Sequence, residues 1–445
     1  MIPEGERWRA YPHTFAAKAS SHTWKPYAWT RYVSSIIGPA ILRGDARIIV
    51  KAPPQHGKSE MISVWTPLWF MDHFPEKRVI LASYSREVSG GFSRRVRNEM
   101  LSNNILRSDL SYDSSSSFRF HTTKGGGMYA TSATGSLTSK GGDLILIDDP
   151  YKDNAEANSA AHRKKIEEWV DFVVTTRLQP GGSLILLMTH WHEKDLTHYL
   201  KQKGGFTEIC LPAIAGKNDP MGRLEGEPLC PERYDLKALE KIRDPKTGVG
   251  SYAWNALYQQ SPIPLEGGLF KRHWWKRYDQ APEIQRKVMF IDAAQKPGIS
   301  NDYSVCATWA QCQNGFYLLD IWRNKVETPQ LEAAVKGLFE KHRPHAVVIE
   351  DKSAGSALIQ YLRNTRIPVL PYNPGIRDKQ TRATAATPLV ESGRCFLPNW
   401  APWVEDFVLE HESFPAVDHD DQVDTTSMLA EYFNTPVPVP RARSL

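Results

Sequence analysis

The chain is poor in cysteine and has no long apolar run, and both absences narrow its class. Its 445 residues include five cysteines. None of them forms a C-x-x-C pair or a zinc-binding spacing, so we expect neither a disulfide framework nor a structural zinc site, and a reduced, cytoplasmic compartment. The N-terminal residues lack a signal-peptide core, and no apolar stretch approaches bilayer length, so a soluble protein without membrane contact is expected. The net charge of +5 permits a polyanionic partner without requiring one.

A phosphate-binding loop is the most informative motif in the first half of the chain. Residues 51–59 (KAPPQHGKS) follow an apolar run and end in the Gly-Lys-Ser of the G-x-x-x-x-G-K-[ST] pattern, although Ala52 replaces its first glycine. Backbone N–H groups of such a loop surround nucleotide phosphates, the lysine reaches the β/γ oxygens, and the hydroxyl reaches Mg²⁺. The predicted nucleotide-binding residues are Gln55, His56, Gly57, Lys58 and Ser59, of which Lys58 is also catalytic and Ser59 a Mg²⁺ ligand.

A second motif, at 143–150 (DLILIDDP), predicts a buried parallel strand that ends in two carboxylates. We expect Asp148 to bind the nucleotide through Mg²⁺ and Asp149 to orient the attacking water, because nucleotide hydrolysis needs both functions. Glu156 is the alternative for the second role. A Gly-Lys-Ser tripeptide alone could lie in any surface loop, but the two motifs together favour an ATPase site.

Polar residues also follow a third apolar run, 183–188. Ligands in open α/β sheets bind at the carboxyl ends of the strands. We therefore interpret Thr189 and His190 as a sensor of the γ-phosphate, with Thr189 counted among the catalytic residues. The pair His190 and His192 could suggest a metal site, but no third ligand accompanies it, so the sensor is favoured over zinc.

Acidic residues at three distant positions mark the second half of the chain. Asp292 and Glu350 end predicted strands, and the segment 418–424 (DHDDQVD) opens the last predicted helix. Converging carboxylates bind hard divalent cations, which can activate water and stabilise the leaving oxygen of a phosphodiester. The sequence therefore predicts a metal-dependent nuclease site.

Strand and helix geometry ranks these acids. Neighbouring residues of a strand point to opposite faces, so Glu350 is preferred to Asp351. On the last helix the order of preference is Asp421, then Asp420, then Asp424. Helix capping would explain each helical acid taken singly. The predicted catalytic residues of the nuclease are Asp292, Glu350 and Asp421, and its predicted metal ligands are these three with Asp420.

The order of predicted elements indicates an α/β fold in two parts. Strands at 47–52, 78–83, 143–148, 183–188 and 207–211, separated by helices or loops, predict a wound parallel sheet. Three strands at 287–292, 303–309 and 315–321 predict an antiparallel meander, and helices alternating with strands follow it. That is the element order of a ribonuclease H-like fold. The predicted division is a P-loop ATPase domain at 1–261, a linker or hinge at 262–285, a ribonuclease H-like nuclease domain at 286–435 and a flexible tail at 436–445.

In this order the motifs resemble those of the large subunit of tailed-bacteriophage terminases. The resemblance runs over nearly the whole chain and is carried by the segments 53–59, 146–150, 189–196, 258–262, 290–294, 349–355 and 419–424. It implies an enzyme that uses ATP and Mg²⁺ to move double-stranded DNA into a procapsid and cuts concatemeric DNA, with Mn²⁺ as an alternative at the nuclease site. It also implies a ring of five subunits on the portal protein, served by a small terminase subunit in the host cell cytoplasm; a monomer is the alternative for the isolated chain.

Two departures from the family leave the arginine finger unassigned. Some members have an arginine just before the glutamine of the phosphate loop, where this chain has Pro54, and others have one ahead of the Asp-Asp strand, where Lys140 is nearest. A lysine reproduces the charge distribution of such an arginine only in part. Arg94, Arg95 and Arg97 are further candidates, unless they only line a solvated helix.

Contact with DNA is expected to be electrostatic, because a packaging motor must hold any sequence. The candidates are the segment 271–277 (KRHWWKR), Arg377, Lys379 and Arg382. The first of these could equally be a domain hinge with its tryptophans packed against one half. Three aromatic residues are candidates either for stacking on adenine or for core packing: Trp24, Tyr27 and Trp29.

Two other functions are compatible with the motifs. A P-loop helicase or repair ATPase would use its second half only for DNA binding or assembly, and it would separate strands without cutting them. A nucleotide-regulated structural protein is the weaker rival, and it would show no DNA-stimulated turnover.

Overall fold

The chain contains two seven-stranded sheets, one in each of two compact units. The computed structural model describes residues 4–107, 109–112, 116–137, 141–262, 268–294, 303–352, 354–375, 377–415, 417 and 419–434. The first unit comprises Met1–Ile242 with Ala253–Ile263, and the second comprises Arg243–Tyr252 with Pro264–Leu445. The predicted tail at 436–445 lies outside the described residues, as does part of the predicted linker.

The sheet of the first unit is parallel except at one edge. Its strands are β1 (Arg47–Lys51), β2 (Arg78–Ser83), β3 (Arg119–His121), β4 (Gly127–Ser132), β5 (Gly142–Asp148), β6 (Leu178–Met188) and β7 (Thr207–Cys210). Their order is β3-β4-β2-β5-β6-β1-β7, with β3 antiparallel to β4. All five predicted strands are present; the sequence did not reveal β3 and β4. Because β5, β6 and β1 are parallel neighbours, their carboxyl ends lie along one edge.

Helices and single π-helical turns accompany this sheet. The helices are α1 (Pro12–Ala19), α2 (Ala28–Arg43), α3 (Thr66–His73), α4 (Arg86–Ser102), α5 (Asn154–Asn158), α6 (Ala160–Trp169), α7 (Thr175–Arg177), α8 (Leu196–Lys203) and α9 (Leu236–Arg243). The next helix, α10 (Gly250–Ala253), belongs mostly to the second unit. A 3-10 helix covers Glu4–Arg9, and π-helices cover Glu60–Trp65, Val170–Val174 and Trp254–Tyr258. The segment 160–177 is therefore helical throughout, as α6, a π-turn and α7.

Alternation along the strands decides which face each residue presents. Val50 and Leu146 pack in one apolar cluster with Trp69, whereas Ile49 and Ile147 pack in a second cluster. Both faces are thus buried, as expected for a parallel sheet. Asp148 has the same parity as Leu146, so it points toward the face that carries the π-helix and α3.

The second unit has a mixed sheet with order β13-β12-β9-β10-β11-β14-β8. Its strands are β8 (Lys276–Tyr278), β9 (Arg286–Asp292), β10 (Ser304–Cys312), β11 (Gly315–Asn324), β12 (Ala346–Glu350), β13 (Val369–Tyr372) and β14 (Cys395–Pro398). Its helices are α11 (Thr328–His342), α12 (Ala354–Arg363), α13 (Lys379–Glu391), α14 (Val404–Ser413) and α15 (Asp421–Asn434), with a 3-10 helix at Arg272–Trp274. The expected antiparallel meander is β9-β10-β11. The segment predicted as a linker contributes the edge strand β8.

The same alternation brings two of the predicted acids to one face. Phe290 and Val348 pack in the cluster that contains residues of α13 and α15, whereas their strand neighbours pack on the opposite side with α11 and α12. Asp292 and Glu350 have the parity of Phe290 and Val348. Because β9 and β12 are parallel neighbours in register, both carboxylates lie at the same strand ends, beside α15. None of the described helices is long and apolar enough to span a bilayer.

Candidate active sites

The phosphate loop joins β1 to the π-helix Glu60–Trp65. Gln55 and Gly57 have positive φ angles of 60° and 87°, and the second of these explains the glycine. Ala52 is fully buried and has no positive φ, so a glycine is not required where the chain departs from the usual pattern. The loop thus keeps its turn geometry and delivers Lys58 to the ends of the neighbouring strands.

Asp148 lies where a magnesium ligand is predicted. Its carboxylate oxygens accept hydrogen bonds from the Ser59 hydroxyl at 3.2 Å and the Ser63 hydroxyl at 2.7 Å. Burial and the neighbouring Asp149 charge raise the pKa of Asp148 to about 6. Ser63 was not predicted; its spacing of four residues from Ser59, which puts both on one helix face, is the signal that could have revealed it.

Asp149 organises the centre of this site. Residue 149 has a positive φ of 44°, and its Oδ2 lies 2.8 Å from Nζ of Lys58. Its Oδ1 accepts a hydrogen bond from the backbone N–H of Thr189 at 2.7 Å, and Lys58 also donates to the Thr189 hydroxyl. The lysine, the carboxylate and the predicted sensor therefore form one network.

His190, in the proposed sensor segment, is held by contacts with Asp195 and Gln260. His190 Nδ1 lies 2.6 Å from Oδ2 of Asp195, which also caps α8 by accepting from Thr197 N–H at 2.9 Å. Burial alone would raise the pKa of Asp195, but its contacts with His190 and its hydrogen bonds from Thr197 together hold that pKa below its ordinary value. The His190 N–H donates to Gln260 at 3.1 Å. By contrast, burial and Arg163 lower the pKa of His192 to about 4.

A cavity of about 850 Å³ contains most of the predicted nucleotide contacts. Lys58, Ser59, Asp149 and Thr189 line it, and so does Gln55. Of the aromatic candidates for adenine stacking, Trp24 and Tyr27 line the cavity, whereas Trp29 is fully buried in the core.

His56, Asp148 and Glu156 are not among the residues that line this cavity. His56 is fully buried: its Nδ1 lies 2.8 Å from the Pro54 carbonyl oxygen, and its ring stacks on Tyr234 with centroids 4.9 Å apart. Burial lowers its pKa to about 4. Glu156, the alternative water-orienting acid, accepts from Lys152 N–H at 2.8 Å and is not among the residues that line the cavity. Asp149 is therefore better placed than Glu156.

The arginine-finger candidates of α4, Arg94, Arg95 and Arg97, are exposed or partly exposed. Arg95 pairs with Glu60 beside the phosphate loop, and Arg94 is exposed. Lys140 lies outside the described residues.

The predicted nuclease acids converge in the second unit. Asp292, Glu350 and Asp421 line one cavity of about 460 Å³ with Lys379 and Arg382. Burial, with the charges of Asp424 and Glu350, raises the pKa of Asp292 well above its usual range. Asp351 is exposed and accepts from the Ser356 hydroxyl at 2.6 Å, which agrees with the preference for Glu350.

Two cations of α13 neutralise part of this acidic cluster. Lys379 Nζ lies 2.7 Å from Asp420 and 2.8 Å from Asp424. Although burial opposes its charge, Asp424 and Asp420 raise the pKa of Lys379. Arg382 lies 2.9 Å from Asp424 and 3.9 Å from Glu350. Lys379 and Arg382, expected to bind DNA, are thus ion-paired with the acids.

The donor set suits a hard divalent cation. Within the described residues, no group of three or more His, Cys, Asp and Glu side chains already has the arrangement of a metal site. The carboxylates of Asp292, Glu350 and Asp421 nevertheless supply oxygen donors around one cavity, and repulsion by the neighbouring acids contributes, after burial, to the raised pKa of Asp292. A divalent cation would relieve that repulsion, so these residues fit such an ion.

The other basic candidates for DNA contact are also paired. Arg272 lies 2.6 Å from Glu405 and 3.0 Å from Glu412, and Arg277 lies 2.9 Å from Glu405. Trp275 is buried in the core of the second unit. The segment 271–277 is therefore, in part, a structural element of that unit.

Comparisons with known proteins match both units. The profile described as terminase large subunit, T4likevirus-type, N-terminal matches residues 49–277, more than half of the chain. The profile of the terminase RNaseH-like domain matches residues 289–433 and confirms the predicted ribonuclease H-like fold. No curated protein matches the chain significantly by sequence.

Solved structures of two phage large terminases are similar to this chain. The large terminase from the thermophilic bacteriophage D6E, in complex with ADP, is 12% identical with a TM-score of 0.50, over 91% of this chain and 99% of that one. Another crystal form of the D6E protein is 10% identical with a TM-score of 0.52, over 92% and 99% of the two chains. The large terminase of bacteriophage HK97 is 11% identical with a TM-score of 0.41, over 96% and 99%. At these identities the D6E structures establish the fold, and the profiles establish that the chain belongs to the terminase large subunit family.

Proposed function

We propose that this chain is the motor subunit of viral DNA packaging, in which ATP hydrolysis drives double-stranded DNA into a procapsid and a metal-dependent endonuclease cuts concatemeric DNA. Large terminase subunits combine ATPase and nuclease functions. The observation that carries the proposal is the network of Lys58, Asp149 and Thr189, which occupies the place where a nucleoside triphosphate would bind. The D6E large terminase, with a similar fold, binds ADP.

The nucleotide site would work by exchange of ion pairs. Lys58 is paired with Asp149, and the γ-phosphate of ATP would attract the lysine away from that carboxylate. Asp149 would then be free to orient the attacking water, while Thr189, which contacts both groups, would register the change. Ser59 and Asp148 would hold Mg²⁺, which neutralises phosphate charge. Asp149, Lys58 and Thr189 are therefore the proposed catalytic residues.

The nuclease site would use the acids of one sheet face. Asp292, Glu350 and Asp421 would hold Mg²⁺ or Mn²⁺, with Asp420 beside them, and the ion would activate water and stabilise the leaving oxygen. Glu350 and Asp292 are placed by adjacent strands, so their spacing is set by the sheet rather than by loops. The ion pairs of Lys379 and Arg382 keep the acids together in the absence of the ion.

The partners follow from the packaging role. We propose double-stranded DNA, the portal protein, a small terminase subunit and further copies of this chain, in a ring of five, as partners in the host cytoplasm. Contact with DNA would depend mainly on phosphates, because translocation cannot depend on sequence.

Two single substitutions test the function by separating the activities. Lys58→Ala should abolish ATP hydrolysis but leave metal-dependent plasmid cleavage, and Asp292→Ala should do the reverse. Lys165→Ala and Asp351→Ala, which remove exposed charges from α6 and from the end of β12, serve as matched controls and should retain both activities. If Asp292→Ala cleaved plasmid as well as the wild-type chain, the nuclease assignment would be wrong. DNA strand separation without cutting would favour the helicase alternative.

A further inference from the structure

An arginine outside the predicted motifs lines the phosphate-loop cavity. Arg233 shares that cavity with Lys58, Asp149 and Thr189. Its Nη1 lies 3.0 Å from the position that a Cβ would occupy on Gly57. The guanidinium is therefore at contact distance from the loop that would surround the nucleotide phosphates.

The backbone around Arg233 is anchored to the same loop. Leu229 and Cys230 are buried, and the N–H groups of Arg233 and Tyr234 donate to the Cys230 carbonyl at 3.0 and 2.9 Å. Tyr234 stacks on His56 of the phosphate loop. The turn and the ring contact thus place the backbone of Arg233 beside the loop.

The charge of Arg233 is available for a ligand. Lys58 forms an ion pair with Asp149, and Arg95 forms one with Glu60. In contrast, the Arg233 guanidinium has no ion pair or hydrogen bond with the described part of the chain. Burial is the main cause of the low pKa of His56, and the positive charge of Arg233 lowers it further. This agrees with the position of Arg233 beside the loop. An unpaired guanidinium beside a phosphate loop is suited to bind an anion.

We propose that Arg233 is a catalytic residue of the ATPase, acting in cis on the γ-phosphate of the nucleotide bound by its own chain. This inference rests on the proposed function. In hydrolysis the water oxygen forms a bond to the γ-phosphorus, and the bond from that phosphorus to the β–γ bridging oxygen breaks. The bridging oxygen leaves with the electron pair as part of ADP, and Asp149 accepts a proton from the water. Arg233 donates hydrogen bonds to the γ-phosphate oxygens and spreads the charge that develops there.

The first test is steady-state ATP hydrolysis by the full chain. Arg233→Ala should lower kcat on the order of 10³-fold, the usual effect of removing a catalytic arginine, with a much smaller change in KM. Arg233→Lys should recover only part of the loss, because a lysine is a point charge. Lys237→Ala removes one positive charge from α9 in the same segment, does not line the cavity, and should leave kcat unchanged.

The second test distinguishes catalysis in cis from a structural role and from action on a neighbouring chain. Arg233→Ala should weaken binding of ADP with fluoroaluminate, a mimic of the transferring phosphoryl group, while leaving ADP binding and the melting temperature unchanged. Mixing Arg233→Ala with Lys58→Ala chains should not restore hydrolysis if the arginine acts in cis. A kcat close to wild type in Arg233→Ala, or recovery on mixing, would overturn the inference. Absence of ATP hydrolysis by the wild-type chain would overturn the proposed function instead.

Discussion

Asp424 differs from its neighbours Asp420 and Asp421 in the charges it contacts. It lies within 2.9 Å of both Lys379 and Arg382, and only 2% of Arg382 is exposed. Removing one partner of a buried ion pair leaves an uncompensated charge in a poorly solvated position. We therefore interpret Asp424 as the counter-ion of the two cations rather than as a metal ligand.

Conservative substitutions at the three acids should separate stability from cleavage. Asp424→Asn should lower the free energy of unfolding by about 3–5 kcal/mol, because it leaves Arg382 without its nearest carboxylate. Asp420→Asn removes a partly exposed pairing of Lys379 and should cost no more than about 1 kcal/mol. Asp421→Asn should abolish plasmid cleavage while keeping the chain folded. Urea unfolding and metal-dependent cleavage measure the two effects, and a wild-type unfolding free energy in Asp424→Asn would exclude the counter-ion role.

A buried histidine on α14 forms a hydrogen bond with α15. His411 on α14 lies 2.9 Å from the Thr426 hydroxyl on α15, and its other ring nitrogen lies 2.7 Å from the Phe407 carbonyl. Its ring packs edge-on against Phe270 and Trp275. Burial lowers the pKa of His411 to about 3, so the folded chain keeps this ring neutral.

This histidine should make stability fall in mild acid. The unfolded chain binds a proton at His411 near its ordinary pKa of 6.5, and the folded chain does so only near 3. The unfolded state therefore binds more protons in this range, and the stabilisation present above pH 6.5 is progressively lost as pH falls toward 3. Between pH 7.5 and pH 5 the loss should be about 2 kcal/mol from this residue. His411→Gln should remove that part of the pH dependence.

The test compares how the free energy of unfolding of each protein changes with pH, rather than its absolute value. Urea unfolding of wild type and His411→Gln at several pH values between 5 and 7.5 gives the difference in free energy at each pH. The glutamine variant is expected to be less stable at pH 7.5, because packing is lost, and the difference should shrink toward pH 5. A difference that stays constant would mean that His411 titrates normally in the folded chain.

The strands and helices with strong apolar runs could be predicted from the sequence. Those that depend on tertiary contacts could not. The strands β1 and β5 and the second half of β6, residues 184–188, contain continuous apolar runs buried on both faces, which the sequence displays directly. In contrast, α4 contains Gly90 and Gly91, which look like a break in a helix. The structure explains the first glycine: a Cβ on Gly90 would lie 2.2 Å from a ring carbon of Phe118.

The same distinction holds at the candidate sites. Lys58, Asp148 and Asp149 lie at strand ends within recognisable motifs, so their convergence follows from a parallel sheet. Arg233 lies far along the chain in a segment without a periodic pattern, so its position beside Gly57 depends on the fold of that segment. For the same reason, the sequence could not reveal that Lys379 is paired with the acids rather than free to contact DNA.

At the scale of the whole molecule, each unit has its own buried core and one candidate site. The first unit contains apolar clusters on both faces of its sheet, and so does the second. A unit with its own core can unfold cooperatively by itself. A ligand stabilises only the unit that binds it, in proportion to its concentration relative to the dissociation constant.

The two ligands should therefore shift different unfolding transitions of the full chain. Mg²⁺ with ADP at about 100 times its dissociation constant should stabilise the first unit by about 2.7 kcal/mol, and Mn²⁺ without nucleotide should stabilise the second. Calorimetry or urea unfolding followed by hydrogen exchange assigns each transition to a unit. Lys58→Ala should lose the nucleotide shift and keep the metal shift, whereas Asp292→Asn should lose only the metal shift. If both ligands moved a single common transition, the two cores would be thermodynamically coupled, and each substitution would have to be evaluated for its effect on both activities.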